Sequence, residues 1–194
     1  MNNLNIQDKM FIRTALPSDY QSVAPLIIQA MEDLAMKFTK STDLEKAIPV
    51  FEYFFQQKGN QYSYENTLIF EENGIVKGSI TGYDGDKLEE LRTPFLNYLM
   101  DEFAFDLIPE NETESGEFYL DTVSIAANHQ GKGIGRKLIE AMIQFAQKKG
   151  FKKIGLLVDI ENPSAKKLYE KIGFKVIKTK KLMGGNYEHL VYEF

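Results

Sequence analysis

Residues 130–136 read Gln-Gly-Lys-Gly-Ile-Gly-Arg, and the rest of the chain takes its meaning from them. Before them, residues 117–125 (EFYLDTVSI) are rich in aromatic and β-branched side chains and predict a strand. After them, Ile134, Leu138, Ala141, Met142 and Phe145 recur at helical spacing, and Lys148, Lys149 and Gly150 suit a helix C-terminus. Strand, glycine-rich turn and helix in this order expose successive main-chain N–H groups at the positive end of a helix. That is a cradle for a pyrophosphate. Lys132 and Arg136 add cationic charge at its mouth. Two phosphate-binding patterns fail. A GxGxxG fingerprint starting at Gly131 would need glycine at Arg136. A Walker A loop ending at Gly131-Lys132 would need glycine at Ala126 and Ser or Thr at Gly133. The pattern that fits is Gln-x-x-Gly-x-Gly, on Gln130, Gly133 and Gly135.

Downstream, residues 153–158 form a nearly continuous apolar run, as in a buried strand. Asn162-Pro163-Ser164 opens a short helix that reaches Ile172 and stops at Gly173, and residues 174–179 and 187–194 read as closing strands. Upstream, residues 11–15 predict a first strand. A helix starts at Pro17-Ser18-Asp19 with apolar positions from Val23 to Leu34, and a second runs over residues 43–57. Residues 67–70 and 75–83 flank Asn73-Gly74, a strong hairpin signal. In the strand over 117–125, Leu120 lies on one phase and Val123 and Ile125 on the other, which predicts a β-bulge. Thr93-Pro94 resembles an N-cap and a first helical residue, so residues 84–116 read as an acidic, partly helical excursion ending in a polar loop, PENETESG.

Two segments together carry a family resemblance. Gln130, Gly133 and Gly135 fit Q/R-x-x-G-x-G/A; Asn162-Pro163-Ser164-Ala165, Leu168-Tyr169 and Gly173-Phe174 fit N-x-x-A…Y…GF. In order, spacing and secondary structure, residues 117–176 resemble the GCN5-related N-acetyltransferase (GNAT) superfamily; the remainder follows its element order without a specific motif. The resemblance implies an α/β (α+β) fold with a mixed, mostly antiparallel sheet of about seven strands, splayed between strands 4 and 5 and flanked by helices. It implies one domain over residues 1–194, with the acidic insertion at about 84–116. The implied co-substrate is acetyl-coenzyme A (acetyl-CoA), with no metal. Its pyrophosphate would rest on Gln130, Gly131, Lys132, Gly133, Ile134, Gly135 and Arg136, and its pantetheine arm against the main chain of Val123, Ser124 and Ile125. Asn162, Ala165 and Tyr169 are implied as further cofactor contacts, with Asn162 also free to cap its helix.

Direct attack of a neutral amine on a thioester needs a positioned carbonyl, a donor for the developing oxyanion, a route for the amine proton and an acid for the leaving thiolate. Tyr169 matches the family's acid; a phenol of pKa about 10 keeps its proton at neutral pH. Asp121 is the first choice as proton acceptor and Glu117 the second, since regular alternation puts both on one face. Glu32, Met36, Tyr83 and Asp121 are candidates for the acceptor side. His129 reads as a solvent-facing turn residue and His189 as a strand residue.

Composition bounds the alternatives. The 194-residue chain has no cysteine and two histidines, which excludes disulfides, a thiol nucleophile and a His-rich metal site. No apolar run is long enough to span a membrane, and residues 1–10 lack the pattern of a secretory signal; both fit a cytoplasmic protein. The net charge of −5 hides an asymmetry: residues 84–117 carry 11 acidic and 2 basic side chains, and residues 126–194 carry 14 basic and 6 acidic. No Arg-rich stripe with interleaved aromatics points to nucleic acid. The acidic segment suggests a cationic amine, of a small molecule or a peptide, as acceptor. A coenzyme A-binding regulatory module without turnover, and an interaction domain that keeps only the fold, are the rival readings. Homodimers are frequent in the superfamily.

Overall fold

The computed structural model describes residues 10–194; the reading of residues 1–9 as free of a secretory signal lies outside the described residues. Seven strands form one sheet: β1 Met10–Thr14, β2 Thr67–Glu72, β3 Ile75–Asp84, β4 Phe118–Ile125, β5 Lys153–Asp159, β6 Lys175–Leu182 and β7 Gly185–Glu193. Their order is β1-β2-β3-β4-β5-β7-β6. All neighbours are antiparallel except β4 and β5. Helices α1 Tyr20–Ala30, α2 Glu32–Phe38, α3 Ile48–Gln56 and α4 Leu88–Phe103 precede β4; α5 Ile134–Lys148 and α6 Pro163–Ile172 follow it.

Two apolar cores hold the layers together. One joins α1, α2, α3 and α4, where Phe38, Phe51, Phe54, Tyr62 and Phe95 meet largely edge to face. The other packs Leu138, Ile139 and Met142 of α5 on Ile80, Leu120, Ile154 and Leu156 of the sheet. Aromatic pairs of this kind add about 0.5–1.5 kcal/mol beyond the area they bury.

Two features of β4 position the site. Thr81 pairs with Thr122 but Gly82 pairs with Leu120, so Asp121 is the extra residue of a bulge, as the parity shift predicts. Gly82 is required there, because a Cβ would lie 2.7 Å from Phe118 and 2.8 Å from the Tyr119 carbonyl. In addition, β4 and β5 pair only at Phe118–Ile154, Tyr119–Gly155 and Leu120–Leu156. Beyond Leu120 the strands part, and the expected splayed sheet is present.

Several sequence expectations are corrected. The first helix breaks at Met31 (φ −143°, ψ 42°) into α1 and α2; the apolar period continues across the break, so spacing alone does not show it. The second helix starts at Ile48, with Pro49 in its first turn, after a 3₁₀ turn at Leu44–Lys46. Thr93-Pro94 lies inside α4 rather than at its start. The start lies at Leu88, after a 3₁₀ turn whose N–H of Asp86 is capped by Asp84, and Glu89 and Glu90 suit the helix dipole. Thr93 Oγ1 bonds the Glu89 carbonyl one turn back. The closing strands extend further than expected and form a hairpin through Met183-Gly184, both at positive φ, as a type I′ turn requires.

Candidate active site

Where β4 and β5 part, a cleft of about 940 Å³ opens. One end is the turn before α5. Gly131 and Gly133 have φ of 75° and 78°, and a Cβ at either would meet nothing within 4 Å. Glycine is therefore used for its left-handed backbone, not for room. Gly133 is the N-cap of α5 without a side-chain cap, so the amides of the first turn are not closed off by it. Gln130, Gly131, Gly133, Ile134, Gly135 and Arg136 line the cleft; Lys132 is exposed beside it. Arg136 Nε also donates to Glu140 at 2.7 Å.

The β4 wall supplies main-chain groups. Ala126 N–H bonds the Lys77 carbonyl on the β3 side, so by antiparallel alternation the N–H and C=O of Ile125 turn into the gap. Gln29 Nε2 donates to the Ile125 carbonyl at 2.9 Å and to Ser124 Oγ at 2.8 Å, and Gln130 Nε2 reaches the same carbonyl at 3.2 Å. Val123, Ser124 and Ile125 all line the cleft. Opposite them, Asn162 Oδ1 accepts from Ala165 N–H at 3.1 Å and caps α6, and Ala165 and Tyr169 face the same space. Tyr169 packs edge-on against Phe174, and burial pushes its phenol up to about 12.

At the other end Asp121 Oδ2 accepts from Tyr83 O–H at 2.9 Å and from Gln61 Nε2 at 3.4 Å. Burial raises its carboxyl well above the usual range, and the nearby Glu112 carboxylate raises it further; the two hydrogen bonds oppose this. Burial raises Glu112 as well, against the hydrogen bond its Oε2 accepts from Tyr119 O–H at 3.2 Å and the nearby cations Arg92 and Lys180. The loop over residues 104–117 is strapped down around this end: Arg92 Nη1 donates to the Pro109 carbonyl at 3.1 Å, and Lys180 Nζ donates to the carbonyls of Asn111, Glu112 and Thr113. Lys178 and Lys180 pair with Glu114 at 2.6 Å.

The two candidate proton acceptors are separated by the fold. Glu117 is 0% exposed, does not line the cleft, and accepts from Glu114 N–H at 2.8 Å while His189 Nε2 lies 3.1 Å away. The bulge at Asp121 breaks the alternation that put both on one face, and Glu117 is a sealed structural group. Gly155 makes room for it, since a Cβ there would sit 2.2 Å from Glu117 Oε2. Of the acceptor-side candidates, Glu32 and Asp121 line the cleft, Tyr83 stands behind Asp121, and Met36 does not reach the cleft. His129 is not solvent-facing; it is largely covered, with Nε2 3.6 Å from Glu72. Gln29, Gln61, Glu112 and Tyr187 also line the cleft. Nothing in the sequence marked them, because loop folding and long-range packing bring them there.

The comparisons agree with this geometry. The profile of the Acetyltransferase (GNAT) family matches residues 28–174. The chain belongs to the GNAT family of acetyltransferases. A solved structure described as an acetyltransferase is 30% identical with a TM-score of 0.79, over 94% of this chain and 98% of that one. An N-acetyltransferase from Staphylococcus aureus Mu50 has the same fold at a TM-score of 0.84, with 24% identity over 94% of this chain and 100% of its own. Mycothiol acetyltransferase of Renibacterium salmoninarum is 44% identical over 66 residues, 34% of this chain and 19% of that protein. Spermine/spermidine N(1)-acetyltransferase of Bacillus subtilis is 35% identical over 74 residues, 37% of this chain and 49% of that protein. The matched stretches thus span about a fifth to a half of these curated relatives. Among the described residues no helix is long and apolar enough to cross a membrane.

Proposed function

We propose that this protein transfers the acetyl group of acetyl-CoA to an amine by direct attack, in a complex holding both substrates. One observation carries the reading: β4 and β5 part beyond Leu120 and Leu156, and the cleft so formed runs from the glycine turn before α5 to Asp121. The residues present suit the cofactor. Left-handed glycines with open space beside them leave room for a diphosphate, and the gap-facing main chain at Ile125 offers partners for amide groups of an extended arm. Gln130 through Arg136, Val123 to Ile125, Asn162 and Ala165 are the residues we assign to holding it. When bound, the cofactor supplies an activated acetyl thioester.

The chain's own groups then divide the work. Asp121, oriented by Tyr83 and Gln61, accepts the proton that the amine must lose. Tyr169, a phenol that holds its proton to about 12, donates to the departing sulfur. Glu32, the first residue of α2 after the break at Met31, lines the cleft, and we assign it to the acceptor side. The acceptor is cationic before it reacts. Much of the acidic excursion is used internally, Glu114 by lysines and Glu117 beside His189, which leaves Glu112 with Asp121 facing the acceptor. The relatives' names, mycothiol and spermine acetyltransferase, support acetyl transfer to a small molecule.

The test is release of free coenzyme A thiol from acetyl-CoA across a panel of amines, with Tyr169→Phe as control. Turnover of cationic amines that falls steeply with added salt is the expected result. Tight acetyl-CoA binding with no transfer to any amine would replace this reading with that of a regulatory module.

A further inference from the structure

A carboxylate and an imidazole meet beneath the cleft, and the acetyl-transfer steps use neither. Glu117 is 0% exposed and His189 of β7 is 2% exposed, with the ring Nε2 3.1 Å from Glu117 Oε2. The strand between them gives way: a Cβ on Gly155 of β5 would lie 2.2 Å from the same oxygen. Sealing a carboxylate from water is costly, and so is glycine inside a strand. Both costs fall on this one contact.

Alternation puts the contact under the floor of the cleft. Glu117 immediately precedes β4 and continues its ladder with β3, its carbonyl accepting from Gly85 N–H at 2.9 Å. Side chains two residues apart on a strand share a face. Glu117, Gly155 and His189 each stand two residues from a residue that lines the cleft, namely Tyr119, Leu157 and Tyr187. The acidic loop lies on the same face. Glu117 Oε1 accepts from Glu114 N–H at 2.8 Å, and Tyr119 O–H donates to Glu112 Oε2 at 3.2 Å. Two groups two apart on the strand thus hold two residues two apart on the loop, in the opposite direction. Pro109 and Glu112 of this loop line the cleft. The lysines that pair with Glu114 do so at partly exposed positions, open to screening by salt; the bond from Glu114 N–H to the buried Glu117 is not.

We infer that Glu117, braced by His189, is a positioning residue for the acceptor: a buried peg that seats residues 109–114 on the floor of the cleft, so that Pro109 and Glu112 form its wall. The effect on the acceptor rests on the acetyl-transfer reading above; the seating of the loop does not. Hydrogen exchange followed by NMR tests the seating without any substitution. In the parent, the Glu114 amide should exchange about 10-fold or more slowly than those of residues 107–113, and should stay so in about 1 M salt, where the lysine pairs are screened. Glu117→Ala should bring that amide to its neighbours' rate. It should raise KM for the amine about 10-fold, as expected for a lost buried hydrogen bond, with kcat and the Kd of coenzyme A within about 2-fold of the parent. Glu117→Gln keeps an oxygen for the Glu114 N–H, and should return the exchange rate and KM to within about 3-fold of the parent. A Glu114 amide that exchanges as fast as its neighbours in the parent overturns the proposal, whether or not the variants fold. A Glu117→Ala protein whose kcat falls at unchanged KM also overturns it, and so does a Glu117→Gln protein no better than Glu117→Ala. If the parent transfers acetyl to no amine, the transfer reading falls, and the exchange rates alone uphold or overturn the seating.

Discussion

At Asp121 the backbone and the carboxyl group are both displaced from the ordinary. The residue is the unpaired member of a bulge, and burial with Glu112 nearby holds its proton on well above the usual carboxylate range. A base acts only when unprotonated, so the rate with a saturating amine should rise with pH through that raised value and be lost below it. Asp121→Asn should lower kcat by about 100-fold or more and flatten this limb, as a pH–rate profile would show. The stability sign is the opposite. A raised folded-state value gives stability that is present at low pH and lost as pH rises through it. Asp121→Asn should therefore be at least as stable as the parent in mildly alkaline solution, by thermal melting. Tyr169→Phe should lower kcat while acetyl-CoA affinity stays close to the parent's. With the phenol pushed up to about 12, the parent should show no alkaline loss from this group at ordinary assay pH. The places of Asp121, Tyr169 and Asn162 on the cleft were legible because each sits inside or beside a motif with fixed spacing. Glu112 was not. It lies in PENETESG, which reads as a polar loop, and only the long-range bonds from Arg92 and Lys180 reveal that the loop folds back. Glu117 was misjudged because one extra residue in β4 cancels the alternation on which its placement depended.

At the scale of elements, the strand, turn and helix around residues 118–148 were legible almost residue by residue. Periodicity and glycine placement there point the same way as the packing. The helices before β4 were harder to read. Pro94 lies inside α4, where it has no N–H to donate to the Glu90 carbonyl, and a buried face of Leu88, Leu91, Phe95 and Leu99 outweighs that cost. Gly133→Ala puts a Cβ into left-handed backbone at about 1–2 kcal/mol. Since no neighbour crowds the site, the loss should appear mainly as weaker acetyl-CoA binding, about 10-fold in Kd, measured by calorimetry. The loop strap makes its own prediction. Lys178 and Lys180 hold Glu114 down to about 2 from 4.5. Its contribution is present above 4.5 and is lost as pH falls toward 2. Solvent around this half-exposed pair limits it to about 1 kcal/mol. Glu114→Gln should show that deficit at neutral pH in denaturant unfolding, and the gap to the parent should close in acid.

For the molecule as a whole, cofactor grip and acceptor choice are assigned to different parts of the chain. The residues assigned to the grip lie on β4, α5 and α6, where the motifs are; the other end of the cleft is lined from α2, the acidic loop and the β6–β7 hairpin, which carry none. That division explains why the family is readable from residues 117–176 while the residues lining the other end of the cleft needed coordinates. If the cleft is the cofactor site, acetyl-CoA at about 100 times its Kd should add about 2.7 kcal/mol of stability, seen as a higher melting temperature. The charge asymmetry also takes on a structural meaning. Basic β6 and the acidic loop are neighbours stitched together by Lys178, Lys180 and Glu114, so much of the contrast is satisfied internally rather than offered to partners.

The parted strands have one more consequence. Among the described residues, β4 has no strand partner on its β5 side beyond Leu120, and the side-chain amides of Gln29 and Gln130 cover the Ile125 carbonyl. Such a flank is a template for any stray extended peptide, including a loosened segment of a neighbouring molecule. Ligand-free preparations should therefore clump sooner on concentration or warming than those kept with coenzyme A, whose arm would lie along that flank and shield it.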